Sequence, residues 1–243
     1  MSQSIVVDKC FLQGSSGAHI LELAATNRLL VSSALFYELL TTNKNKRAQC
    51  FRKLPDVENP VDLVEHAGTL IRLELDSHKA AGTPSQNILP DRFVFNPGLR
   101  DAEFKLAPAA LRGLADQRRE VDQDVRSFIS RAKEIESFFP GLREGSDDDR
   151  AHALEAAEAL VAAPGSLLEF IDTLKTSLGE RPLPPRAQLN ESWAIYRWLQ
   201  VQLLFGLNLF VRYRGAIPTA ETCTKGVYEK LEHDIHDAQV LVL

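Results

Sequence analysis

The sequence predicts an α/β protein, a parallel sheet core joined to a large and mostly helical insertion. Three observations carry that expectation. A β-branched apolar run, Ile5-Val6-Val7, ends in Asp8. Strand and helix patterns then alternate through roughly the first 40 residues. From residue 44 to residue 218 the texture changes to helical periodicity, interrupted by proline and glycine.

Residues 4–8 are short and apolar enough for a parallel strand covered on both faces. Gly14, Ser15, Ser16 and Gly17 supply a turn, and Ser16 stands where it can cap a short helix over residues 18–25. Thr26 and Asn27 interrupt that pattern, and residues 28–32 read as a second strand. Ser33 can cap the next helix, which carries Phe36, Tyr37, Glu38, Leu39 and Leu40. Parallel sheets bind ligands beyond the carboxyl ends of their strands, so Asp8 and Glu38 are expected to face one crevice. Cys10 reads as a small buried hydrophobe.

Helical periodicity in the insertion falls in residues 45–54, 61–79, 108–138, 150–162, 166–178 and 187–214. Asp147, Asp148 and Asp149 follow Ser146 and resemble a metal cluster. An acidic helix N-terminus that complements the dipole explains them more simply. Residues 193–213 are long enough to span a bilayer, but they contain Arg197, Gln200, Gln202, Asn208 and Arg212. Such groups are costly in hydrocarbon, which predicts a buried central helix and no membrane partner. Residues 219–243 read as one or two helices, and the apolar run that stops at Leu243 predicts that the natural protein continues.

With 44% hydrophobic and 25% charged residues, the composition is that of a soluble globular protein. A net charge of -5 excludes a global pull toward nucleic acid, so such binding needs a local basic patch. Lys44, Lys46, Arg47, Arg52 and Lys53 form the candidate, and Phe51 within it reads either as a stacking residue or, as is commoner at helical spacing, as core. The three cysteines are widely spaced and form no CxxC, which argues against a disulfide framework or a zinc site and fits a reducing cytoplasm. The N-terminus lacks the basic start and long apolar run of a signal peptide. No Gly-rich phosphate loop, GxSxG elbow or HExxH pair is present.

The acids remain as candidate chemistry. Hard divalent cations need oxygen donors from different elements converging on one point. A strand-end Asp8, a helical Glu38 and the pair Asp234 and Asp237 would meet that need, the last two sharing a helix face. His233 and His236 read as surface or supporting histidines.

These segments resemble the PIN-domain nucleases, the family that includes VapC-type toxins. The matching pieces are Ile5-Val6-Val7-Asp8, then Val31-Ser32-Ser33 leading into Phe36-Tyr37-Glu38-Leu39-Leu40, and finally Asp234-Ile235-His236-Asp237-Ala238. The resemblance implies an endoribonuclease that uses Mg²⁺ or Mn²⁺, with Asp8, Glu38 and Asp237 as catalytic ligands. Asp234 is the alternative or supplement to Asp237. The core would comprise residues 1–43 and 219–243, separated by the insertion at 44–218. RNA is the implied substrate ahead of DNA. An antitoxin or other protein partner, met through the insertion, is an implied partner, and a homodimer an implied assembly.

The chain departs from the family pattern at Lys9-Cys10, where Thr, Ser or Asn is commoner, and in the length of the insertion. The family's later strand, with its Thr/Ser-x-Asp motif, would lie beyond Leu243 and leave the sheet incomplete. Two further readings therefore stand beside the nuclease. One is a catalytically inactive PIN-like module for nucleic-acid or protein interaction. The other is a plain helical interaction protein, which would lack the sheet.

Overall fold

The computed structural model describes residues 3–89, 94–143, 145–170, 182–219 and 221–243. In chain order it contains β1 (Gln3–Val6), α1 (Lys9–Gly14), α2 (Gly17–Thr26), β2 (Asn27–Ser32), α3 (Ser33–Thr41), α4 (Lys44–Arg52), β3 (Asp62–Val64) and α5 (Ala67–Ser77). These are followed by α6 (Pro108–Ala132), α7 (Ile135–Phe138), α8 (Asp147–Ala162), α9 (Pro164–Leu167), α10 (Ala194–Arg212) and α11 (Lys225–Val242). The fold is mixed α/β and mostly helical, with one three-stranded parallel sheet among the described residues.

The chain divides into two compact units. Unit 1 comprises residues 1–69, 82–119 and 243, and unit 2 comprises residues 70–81 and 120–242. The expected partition was 1–43, 44–218 and 219–243. In the observed one, residues 44–69 and 82–119 of the predicted insertion group with the sheet in unit 1, and residues 219–242 group with the helices of unit 2.

Unit 1 is built on the sheet, ordered β1-β2-β3 with every pair parallel. Val6 pairs with Leu30, and Ser32 pairs with Val64. The two expected strands form, each within two residues of its predicted bounds. Central β2 buries Leu29, Leu30, Val31 and Ser32. Outer β1 is only half-buried, which corrects the expectation of cover on both faces.

β3 corrects a second expectation, because residues 61–79 read as a single helix and instead form a strand followed by α5. Val61, Val64, Ala67, Ile71 and Leu75 recur at steps of three and four, so a short strand and the following helix mimic one helical stripe. The N-cap of α3 is Ser32, one residue before the expected Ser33, and its side chain accepts from Leu35 N. The core includes Val7, Leu12, Ile20, Leu35 and Leu39. Phe51 stacks at tilted geometry between Phe36 and Phe95, so it is a core aromatic. Cys10 is exposed, which corrects the expectation of burial, and Cys50 on α4 is buried.

In unit 2, Asp147, Asp148 and Asp149 form the acidic first turn of α8, as expected, and Ser146 and Asp149 add a reciprocal capping box there. The predicted helix at 187–214 is shorter than expected, a turn at Arg186–Gln188 preceding α10. Of the predicted helix at 166–178, residues 171–178 lie outside the described residues. The final stretch is one helix, α11. α10 is long and apolar enough to cross a membrane by length and composition alone. It buries Ala194, Ile195, Leu199, Leu203 and Leu207, as a central helix should. Gly206 lets α7 approach closely, since a Cβ there would stand 3.1 Å from Ile135 Cδ1.

The start of α10 has an unusual cap. Trp193 occupies the N-cap and offers no side-chain acceptor. Glu74, fully buried on α5, supplies it from 120 residues away. Its Oε1 accepts from Ala194 N at 2.6 Å and from Ala81 N at 2.8 Å, and its Oε2 accepts from Ile195 N at 2.8 Å. Two of the orphan N–H groups of the helix are thereby satisfied, and the carboxylate complements the dipole.

Candidate functional site

The carboxyl edge of the sheet is where unit 1 gathers its chemistry. β1 is followed by Val7, whose N–H still donates to Leu30 O, and then by Asp8. Asp8 has an extended backbone and caps α1, its Oδ1 accepting from Phe11 N at 2.6 Å. That cap fixes one carboxylate oxygen and explains why a helix begins directly after the strand, a feature the sequence reading left out. β2 ends at Ser32, and α3 then carries Glu38 between the buried residues Tyr37 and Leu39. Glu38 itself is only 6% exposed.

Lys9 joins the two segments. Its Nζ donates to Glu38 Oε1 at 2.9 Å, and both side chains are largely buried. The residue next to Asp8 therefore touches Glu38, so the loop after β1 and the helix after β2 converge at one end of the sheet. Sequence reasoning expected Asp8 and Glu38 in a common crevice but assigned Lys9 no role. At the same edge, Glu65 and His66 directly follow β3. Glu65 Oε1 accepts from His66 N at 3.0 Å, and His66 Nδ1 accepts from Gly68 N at 3.1 Å. Both residues were overlooked because their segment read as a helix. The β-branched pair Val61 and Val64 was the available signal.

The donor chemistry of Asp8 and Glu38 suits a hard divalent cation, since both offer carboxylate oxygen. Cys50 is buried in the core nearby, and burial pushes its thiol pKa up against the opposing pull of Lys53 and Lys9.

The other predicted acids lie on α11 in unit 2. Asp234 is ion-paired with Arg212, whose other guanidinium nitrogen donates to Asn208 Oδ1 at 3.0 Å. Asp237 is half-buried one turn further along, His233 is exposed and His236 is buried. Asp8 and Glu38 thus belong to unit 1, Asp234 and Asp237 to unit 2.

The predicted basic patch is mostly committed to holding unit 1 together. Arg47 is buried and donates to Phe104 O, and Arg52 donates to Arg100 O. Lys53 Nζ donates to the carbonyls of Leu12, Gln13 and Ser15, closing the C-terminal end of α1. Lys44 pairs with Glu103 in solvent. Lys46 is exposed and has no partner among the described residues.

Unit 2 also contains a cavity of about 930 Å³, which the sequence reading did not foresee. Its charged lining largely cancels, Arg143 pairing with Glu136 and Arg150 with Asp147. Arg214 also lines it, with a left-handed φ of 50° and no ion-pair partner among the described residues.

Comparison with protein-family models, curated proteins and solved structures finds no match to this chain.

Proposed function

We propose that this chain is a PIN-like endonuclease that hydrolyses phosphodiester bonds, RNA ahead of DNA, with a Mg²⁺ or Mn²⁺ ion held by Asp8 and Glu38. The observation that carries the reading is the convergence of these segments at the carboxyl edge of a parallel sheet, with Lys9 Nζ on Glu38 Oε1. Asp8 is held by its cap to Phe11 N, and Glu38 is held by burial, so neither carboxylate has to be ordered when an ion arrives. The bound ion would supply an activated water and offset charge on the phosphoryl group. Lys46 is an exposed cation with no partner among the described residues, available to a phosphate backbone. Asp237 and Asp234 are the further acids implied by the family resemblance.

Lys9 also favours a second reading. An ammonium that already neutralises Glu38 is what a PIN-like scaffold without activity would contain, leaving a module for nucleic-acid or protein interaction. Cleavage of labelled single-stranded RNA with Mn²⁺ decides between the two. The nuclease reading expects cleavage that is lost with EDTA and in Asp8→Asn, with Asp237→Asn as the parallel variant. No cleavage by the folded protein leaves the inactive module.

A further inference from the structure

We infer that Lys9 is a built-in competitor for the divalent cation, so that an ion loads onto Asp8 and Glu38 only when the lysine ammonium leaves Glu38. The inference rests on the reading of these two acids as metal ligands. It is carried by the contact of Lys9 Nζ with Glu38 Oε1 at 2.9 Å, between side chains only 13% and 8% exposed.

A buried carboxylate needs a compensating partner, and in this fold Lys9 provides one before any ion is present. A divalent cation on the same carboxylate would face a like charge a few ångströms away. At this burial, salt screens that repulsion poorly. Loading is therefore an exchange, with one ammonium leaving as one ion enters. Lysine suits the exchange because its ammonium is a compact, hydrated charge on a flexible four-carbon stem, which can swing away without moving the backbone. An arginine would instead clamp the carboxylate at two points. Lys9 also directly follows Asp8, so the segment that offers one ligand carries the competitor for the other.

A lysine that merely holds the fold and a lysine that competes with the ion predict opposite signs. Loss of a structural lysine would weaken ion binding along with the fold, whereas loss of a competitor strengthens it. The experiment is calorimetric titration of the full chain with Mn²⁺, alongside the Mn²⁺-induced rise in Tm. Lys9→Gln keeps a hydrogen-bond donor for Glu38 without the charge. It is expected to bind Mn²⁺ about tenfold more tightly than wild type and to gain more in Tm, as removal of a like charge at a low-dielectric site requires. Lys9→Arg, which keeps the fold's ion pair, is expected to bind more weakly than wild type. Glu38→Gln is expected to lose binding in either background.

Equal or weaker binding by Lys9→Gln, with Glu38→Gln still reducing it, overturns the competitor role and leaves the metal reading intact. Were Lys9→Gln not to fold, Lys9→Arg binding as tightly as wild type or tighter would overturn it equally. Absence of Mn²⁺ binding by both folded wild type and Lys9→Gln overturns the inference together with the metal site.

Discussion

Glu38 in unit 1 and Glu74 in unit 2 are both buried glutamates on helices, yet they are held in different ways. Glu74 is surrounded by backbone, its two oxygens accepting from the N–H groups of Ala81, Ala194 and Ile195. Those donors are fixed by the chain and cannot leave without unravelling the start of α10. Glu38 has the Lys9 ammonium, a donor on a long side chain that can be exchanged for another cation. Burial alone does not separate a structural carboxylate from a functional one. The distinguishing property is whether its partner can be replaced while the fold stays intact.

Breaking the comparison hardest means removing Glu74. Glu74→Ala leaves two helix-terminal N–H groups and that of Ala81 without their acceptor, and should cost about 3 kcal/mol of stability by urea denaturation. A loss below about 1 kcal/mol would show that water replaces the carboxylate easily, and the contrast with Glu38 would fail. Glu38→Gln should cost less, about 2 kcal/mol, because it weakens the charge-assisted bond from Lys9 while keeping a side chain of the same size. It should also abolish Mn²⁺-dependent cleavage, and retained cleavage would remove Glu38 from the site.

Asp8 sharpens the same contrast, because its cap and its proposed ligand role can be separated. Asparagine caps a helix about as well as aspartate, so Asp8→Asn should stay within about 0.5 kcal/mol of wild type while Asp8→Ala loses about 1 kcal/mol. Both should lose cleavage, and an active Asp8→Asn would mean that only the cap matters.

The smallest expected effect concerns the exposed acids of unit 2. The hydroxyl and N–H of Ser146 hold the Asp149 carboxyl below its usual range. Glu221 is lowered by its own backbone N–H, then by Thr219 and Arg126. A depressed carboxyl contributes stability above its unfolded pKa, and loses it as pH falls through the lower folded value. Thermal unfolding followed by circular dichroism from about pH 5 down to pH 2 should therefore show a shallow loss of Tm. The loss should flatten in Asp149→Asn and Glu221→Gln, and an unchanged slope in both variants would refute the assignment.

What the sequence revealed depended on how local the cause was. β1, β2 and α3 follow from neighbouring residues and were expected within one or two positions, and the acidic start of the helix after Ser146 was expected too, though not its capping box. β3 was hidden because its apolar residues continue the spacing of α5. Of the candidate site, Asp8 and Glu38 were legible as a strand tip and a helix acid. Lys9 was not, since its partner lies 29 residues away on another element. The basic run was visible as charge, but only the fold shows that Lys53 closes α1 and that Arg47 reaches Phe104 O. Glu74 left no sequence pattern at all, because its partners are amides that every residue but proline possesses.

The link between Glu74 and Ala194 has a consequence for how the chain is made. Ribosomal synthesis runs at about 5–20 residues per second, so the α10 amides that Glu74 serves, those of Ala194 and Ile195, emerge on the order of 10 s after it. Throughout that interval the carboxylate must remain hydrated, and the segment around it cannot complete its burial. Unit 2 is thus committed to finishing late in translation. A nascent chain stalled before residue 194 would expose this charged, unfinished helix to chaperones and proteases.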